Sequence, residues 1–231
     1  MSLPEFATGV FFISAGAGFL GALTGLGGGV VITPVLHLLF GVDLRYAIGA
    51  TLISVIATSS GAASAYVKEG FSNIRLGMFL EVATTTGAIC GALLAARIPV
   101  PILAVILGVV LLYSAYLSAA PPHEDATAGA RDPLAVKLRL AGDFPGAGGT
   151  TAYVVHRVKL GFAMMFGAGA ISGLLGIGSG ALKVIAMDRV MRIPFKVSTA
   201  TSNFMIGVTA AASASVYLHR GYVDQIGRAH V

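Results

Sequence analysis

The chain has 231 residues, of which 56% are hydrophobic and 11% charged, with a net charge of +5 and a mean hydropathy of +0.86. Soluble domains carry about 25% charged residues, so a chain this apolar cannot cover a water-facing surface and needs lipid as part of its solvent. The basic excess lies between apolar runs, with no basic patch interleaved with aromatics. It reads as topology and anionic-lipid contact, which excludes nucleic acid as an expected partner.

Six apolar segments follow one another. The first runs from Phe6 to Phe40 without an Asp, Glu, Lys or Arg, far beyond the ~20 residues one helical span needs. It is also too long for the core of a signal peptide and lacks a basic flank. The second runs from Tyr46 to Val67, the third from Leu76 to Ala96 and the fourth from Ile98 to Leu117. A polar stretch from Ala119 to Lys159 separates these from the fifth, Leu160 to Met187, and the sixth, Val197 to Leu218. Within the polar stretch, Lys137 to Leu140 and Thr150 to Val155 are expected to pair as a hairpin at the membrane surface. Counting Lys and Arg between single crossings puts the N-terminus on the cytoplasmic side, unless the long first or fifth segment re-enters. The single cysteine, Cys90, makes no intramolecular disulfide and reads as a packing residue.

Shifted by 151 residues, the chain matches itself. Gly16 to Gly29 lies over Gly167 to Gly180 with half the positions identical and no gap. The same shift places Thr58 on Thr209, Ser64 on Ser215, Tyr66 on Tyr217 and Gly70 on Gly221. The expected organisation is a first membrane repeat (1–118), a polar loop (119–159) and a second repeat (160–225). That second repeat lacks partners for the third and fourth segments. Residues 226–231 fit no repeat position and read as one frame of a common sequencing adapter, so a truncated gene ending in a non-native tail is expected. Structural repeats are a recurring plan of secondary transporters.

Gly25, Gly27, Gly28 and Gly29, and their counterparts Gly176, Gly178, Ser179 and Gly180, sit mid-way along the two long segments. Glycine weakens a helix and lets backbone approach a ligand. A discontinuous helix restarting after each run would aim unpaired N–H groups and its dipole at an anion. Tight helix packing is the alternative. No Gly-Lys-Ser or Gly-Lys-Thr occurs, so a phosphate-binding loop for an ATP motor is absent.

Lys183, three residues past Gly180, would neutralise an anion there or snorkel towards Asp188, Arg189 and Arg192 at the interface. Thr201, Ser202 and Asn203, opposite Thr51, offer neutral donors to an oxyanion, or cap and bridge helices. Glu81 is a coupling candidate, with an interfacial position near a helix N-terminus as the alternative. Thr33-Pro34 is expected to help kink the chain past the first glycines, and His37 has no companions at zinc-ligand spacing. No nucleophile–base set, metal set or cofactor motif appears, so an enzyme is not expected.

At these residues the chain resembles the TauE/SafE family of sulfite exporters, a family of membrane permeases. The resemblance is carried by Gly21 to Gly29, by Gly173 to Lys183 and by Ser198 to Gly207. Ser179 departs from the family's three-glycine run, and Ile185 stands where proline is common. The resemblance implies about eight spans in two halves and a sulfur-containing anion as substrate. The expectation is therefore an all-α polytopic membrane protein of two glycine-broken halves, the second truncated. It would act as a secondary transporter of a small anion in a bacterial-type inner membrane, without a cofactor. Its partners would be that anion and the bilayer, and a homo-oligomer is compatible with the pattern. A passive anion channel and a non-transport assembly subunit remain as alternatives.

Overall fold

The structure, a computed structural model, describes residues 3–118, 132–146 and 149–223. The first part of the polar loop and the 226–231 tail lie outside the described residues. The chain is mostly helical: α1 (Leu3–Thr24), α2 (Gly29–Leu38), α3 (Leu44–Lys68), α4 (Ile74–Ala95), α5 (Val100–Ser118), α6 (Pro133–Lys137), α7 (Val158–Leu175), α8 (Gly180–Ile185) and α9 (Phe195–His219). α8 continues into a π-helical turn over Ala186–Val190. Strands β1 (Gly142–Gly146) and β2 (Gly149–Tyr153) form an antiparallel pair between α6 and α7.

Both long apolar segments are broken at their glycines. α1 ends at Gly25 (φ 69°) and α7 at Gly176 (φ 67°); Gly27 and Gly178 follow at φ 76° and 79°. Such left-handed backbone ends a helix at little cost only when no Cβ is present. Helix boundaries on the two sides keep one spacing: α2 and α8 start at Gly29 and Gly180, α3 and α9 at Leu44 and Phe195, ending at Lys68 and His219.

The hairpin differs from its expected register. Asp132 accepts a hydrogen bond from Leu134 N (2.8 Å) and Pro133 occupies the first turn, so 133–137 coils into α6 and takes Lys137 out of the expected strand 137–140. The first strand therefore begins later, with Gly142 opposite Tyr153 and Gly146 opposite Gly149.

Among the described residues, four helices are long and apolar enough to cross a membrane: 4–24, 44–68, 74–95 and 158–175. α2 and the 100–116 part of α5 are apolar but shorter. Large side chains cover the outside: Phe12 is 68% exposed and Leu112 is 75% exposed, as lipid-facing residues should be. α9, rich in hydroxyls, packs against α1, α3, α4, α7 and α8. Neighbouring helices supply hydrogen-bond partners that lipid cannot, which is why this hydroxyl-rich helix lies inside.

Lipid gives no hydrophobic drive for helix association, so close backbone packing must supply it. α4 and α7 do this with small residues. A Cβ on Gly91 would run into Ala170 O, one on Gly173 into Ala88 O, and one on Gly169 into Thr84 O. This pair carries Glu81 and positions it towards α9.

Candidate functional site

The two glycine breaks touch each other. A Cβ on Gly29 would meet Ile177 C at 3.0 Å and Gly176 O at 3.1 Å. Reciprocally, one on Gly180 would collide with Gly25 O and the backbone of Leu26. Glycine is thus required here for contact between the breaks, and the packing and broken-helix readings of the sequence meet in one feature. Gly28 also lies against the backbone of Ala17.

One face of α9 braces this centre. Ile206 touches Gly27 and Gly178. One turn earlier, Ser202 Oγ donates to Gly25 O at 2.9 Å and reaches Gly180 O at 3.5 Å. Asn203 Nδ2 donates to Ala22 O at 3.0 Å. Ala22 O and Gly25 O are orphaned because α1 stops, and side chains from α9 replace the missing turn. Thr201 points elsewhere: its hydroxyl accepts from Asn73 N at 3.1 Å, at the cap of α4.

The matching face of α3 bears on the second break. Ile48 touches Gly176, and Val55 touches Gly29 and Gly178. Thr51 lies between them at helical spacing, fully buried, and its hydroxyl finds no hydrogen-bond partner among the described residues. Ser179 is also buried with an unpartnered hydroxyl, and its φ of 48° is a left-handed value that serine adopts only at a cost.

Lys183 does not snorkel. It is fully buried, and its Nζ donates to Thr209 Oγ1 at 2.5 Å, with Glu81 Oε2 3.9 Å away. Glu81 is buried as well, being 7% exposed. Its Oε1 accepts from Thr85 Oγ1 (2.8 Å) and Thr209 Oγ1 (2.6 Å), and its Oε2 from Thr84 Oγ1 (2.9 Å). From sequence, Thr209 stood only as the repeat partner of Thr58, and Thr84 and Thr85 were not singled out. The positions of Thr84 and Thr85, three and four residues after Glu81, are the signal that was available. Tyr66 and Tyr217, matched to each other in the sequence but given no role there, donate their hydroxyls to Ala22 O (3.2 Å) and Gly173 O (3.1 Å), tying α3 to α1 and α9 to α7.

His37 Nδ1 lies 2.9 Å from Val42 O, closing the turn after α2. Among the described residues no group of three or more His, Cys, Asp or Glu could hold a metal. A surface cavity of about 350 Å³ lies at the α3–α4 turn and the hairpin, lined by Asn73, Arg75, Arg139, Asp143 and Tyr153. It belongs to the loop region, not to the glycine breaks. Burial there pushes the Tyr153 hydroxyl up to about 12.

Buried charge, broken helices and a lipid-facing exterior define a polytopic membrane transporter. Residues 10–227 match the family model Sulfite exporter TauE/SafE, and the chain belongs to that family. It is similar to "Probable membrane transporter protein YunE" of Bacillus subtilis (strain 168), 30% identical over 219 residues, covering 90% of this chain and 77% of that protein. It is also similar to "Probable membrane transporter protein YdhB" of the same organism, 25% identical over 218 residues, covering 94% of this chain and 79% of that protein. No solved structure matches.

Proposed function

We propose that this transporter is a secondary permease for a small anion, with sulfite, a sulfonate or another sulfur-containing anion as substrate. The observation that carries the reading is the reciprocal contact of two glycine breaks beside buried Lys183. We take the two halves as copies of one unit. Support comes from the constant spacing of helix boundaries and from the paired Tyr66 and Tyr217 hydrogen bonds.

Substrate sits where the breaks meet, held by backbone N–H groups beside Gly25, Gly27, Gly28 and Gly29 and beside Gly176, Gly178, Ser179 and Gly180. Thr51 and Ser179 supply hydroxyls, and Lys183 supplies the charge. Ser202 and Asn203 hold the surrounding backbone, and Thr201 anchors α9 to the α3–α4 turn. The breaks are in contact in this state, so access requires the loop between α1 and α2 to part from that between α7 and α8. Alternation of that parting between the two faces moves the anion without an ATP motor.

The test is uptake by the purified protein in liposomes, with sulfite, sulfoacetate, taurine and thiosulfate as probes. Saturable uptake of a sulfur anion, driven by an imposed pH or Na⁺ gradient and lost in Gly28→Leu but not in Cys90→Ala, supports the reading. Flux insensitive to both gradients favours a channel, and no flux of any probe removes the transport reading.

A further inference from the structure

Glu81 and Lys183 stand on helices far apart in the chain, yet both charges are buried in one network. Taking an ion pair out of water is costly, and replacement by apolar residues is often neutral or stabilising. Stability alone is thus a poor reason for the pair, and an ionisable group inside a membrane is a functional candidate by default. The pair is also near the breaks. On α9, Thr209 follows Ile206 by three residues, about 5 Å along the axis, and Ile206 touches both breaks.

The hydroxyls around Glu81 can serve either of its protonation states. With the carboxylate ionised, Lys183 donates to Thr209 Oγ1, and Thr209 donates to Glu81 Oε1. With Glu81 protonated on Oε1, its O–H donates to Thr209 Oγ1, and Thr209 turns its own proton to Met205 O, 2.9 Å away. Thr84 likewise has Leu80 O (3.3 Å) and Glu81 O (3.2 Å) as other acceptors. No heavy atom need move, and Lys183 loses its counter-charge.

We propose that Glu81 is the proton-coupling carboxylate and that it competes with the transported anion for Lys183. This rests on the transporter reading above. One proton binds Glu81, and one anion takes the carboxylate's place beside the ammonium of Lys183. The charge balances throughout: the ionised pair is neutral, protonation leaves one positive charge, and a monoanion cancels it. A lone buried charge is strongly disfavoured, so proton and anion bind together.

Other titratable groups on the elements packed around the pair have places of their own. Arg75 of α4 reaches Arg139 O, Lys196 of α9 lies over the Phe71 ring, and Tyr217 bonds Gly173 O. Cys90, Tyr113 and Tyr116 are exposed. Lys159 stands at the start of α7 and His219 at the end of α9. Asp188 and Arg189 lie on the π-helical turn after α8, and among the described residues Asp188 is the second buried carboxylate.

The experiment measures uptake of methanesulfonate, a monoanion, into liposomes at low concentration, from about pH 5.5 to about pH 8, a range over which the probe's charge is constant. One coupled proton makes uptake fall about tenfold per pH unit once Glu81 is ionised. Glu81→Gln, fixed in the uncharged form, should flatten the profile, whereas Asp188→Asn should keep the wild-type slope. Glu81→Asp, which keeps the carboxyl group, should shift the profile without removing it. A flat wild-type profile, a slope retained in Glu81→Gln, or a slope lost only in Asp188→Asn overturns the proposal while leaving transport intact. If no probe is taken up, transport fails separately and infrared spectroscopy decides the coupling. A protonated-carboxyl band that grows on methanesulfonate addition and is missing from Glu81→Gln supports it; no such band overturns it.

Discussion

Gly180 of α8 rests against the backbone of Leu26, so closely that a Cβ at position 180 would overlap it. Backbone cannot retreat as a side-chain tip can, so the contact admits no larger residue. Gly180→Ala should destabilise the protein by about 1–3 kcal/mol, the usual cost of overpacking. It should also abolish anion uptake. Gly61→Ala, where a Cβ meets nothing within 4 Å, should leave both unchanged. Melting temperature in detergent and liposome flux, measured on the same preparations, check this.

Thr51 and Ser202 should separate function from structure. Ser202 bonds a carbonyl freed by the end of α1, whereas the Thr51 hydroxyl bonds no described residue. Ser202→Ala should therefore lower stability by about 1 kcal/mol, the net worth of a typical hydrogen bond. Thr51→Val keeps the shape of threonine and loses no bond. Its melting point should stay within error of wild type while half-saturating anion concentration rises several-fold. The opposite ranking in paired melts and uptake curves would remove Thr51 from the site.

Ser179 carries strain that glycine would not. At φ 48° a serine pays for left-handed backbone, and its hydroxyl is unpartnered. Ser179→Gly should stabilise the fold by about 1 kcal/mol and weaken anion binding. Thermal melts with and without thiosulfate measure the two effects separately, since ligand stabilisation reports affinity.

The Asp132 cap should set an acid limit on the loop. Its carboxylate accepts from Leu134 N (2.8 Å) and Val158 N (2.9 Å), joining α6 to the start of α7. The Val158 bond, foremost, holds the carboxyl below its ordinary range. A group depressed on folding contributes stability above its unfolded value of about 4, and that contribution is lost as pH falls through the folded value. Limited proteolysis of the loop should thus be constant from about pH 5 upward and accelerate below about pH 4. Asp132→Ala should be sensitive at every pH, with a cap loss of about 0.5–2 kcal/mol.

Much of the architecture was legible in the chain. Four spans and both breaks followed from local pattern, the breaks because glycine ends a helix by its own backbone freedom. The hairpin register was missed because Asp132-Pro133 is a stronger helix start than the alternation at 137–140 is a strand signal. Glu81 and Lys183 were each visible as charges in apolar runs, but their partnership was not. Reading each alone gave no sign that both would be buried in one hydrogen-bonded network.

By itself, the sequence determined that this protein lives in lipid and where its backbone must break, since both depend on residues adjacent in the chain. Only the tertiary structure decided that the two breaks touch, that Ser202 closes the first of them, and that Thr209 joins Lys183 to Glu81. Those contacts depend on which helix faces meet across the bundle. In lipid that choice is made by close packing of small residues and by the need to satisfy every buried polar group.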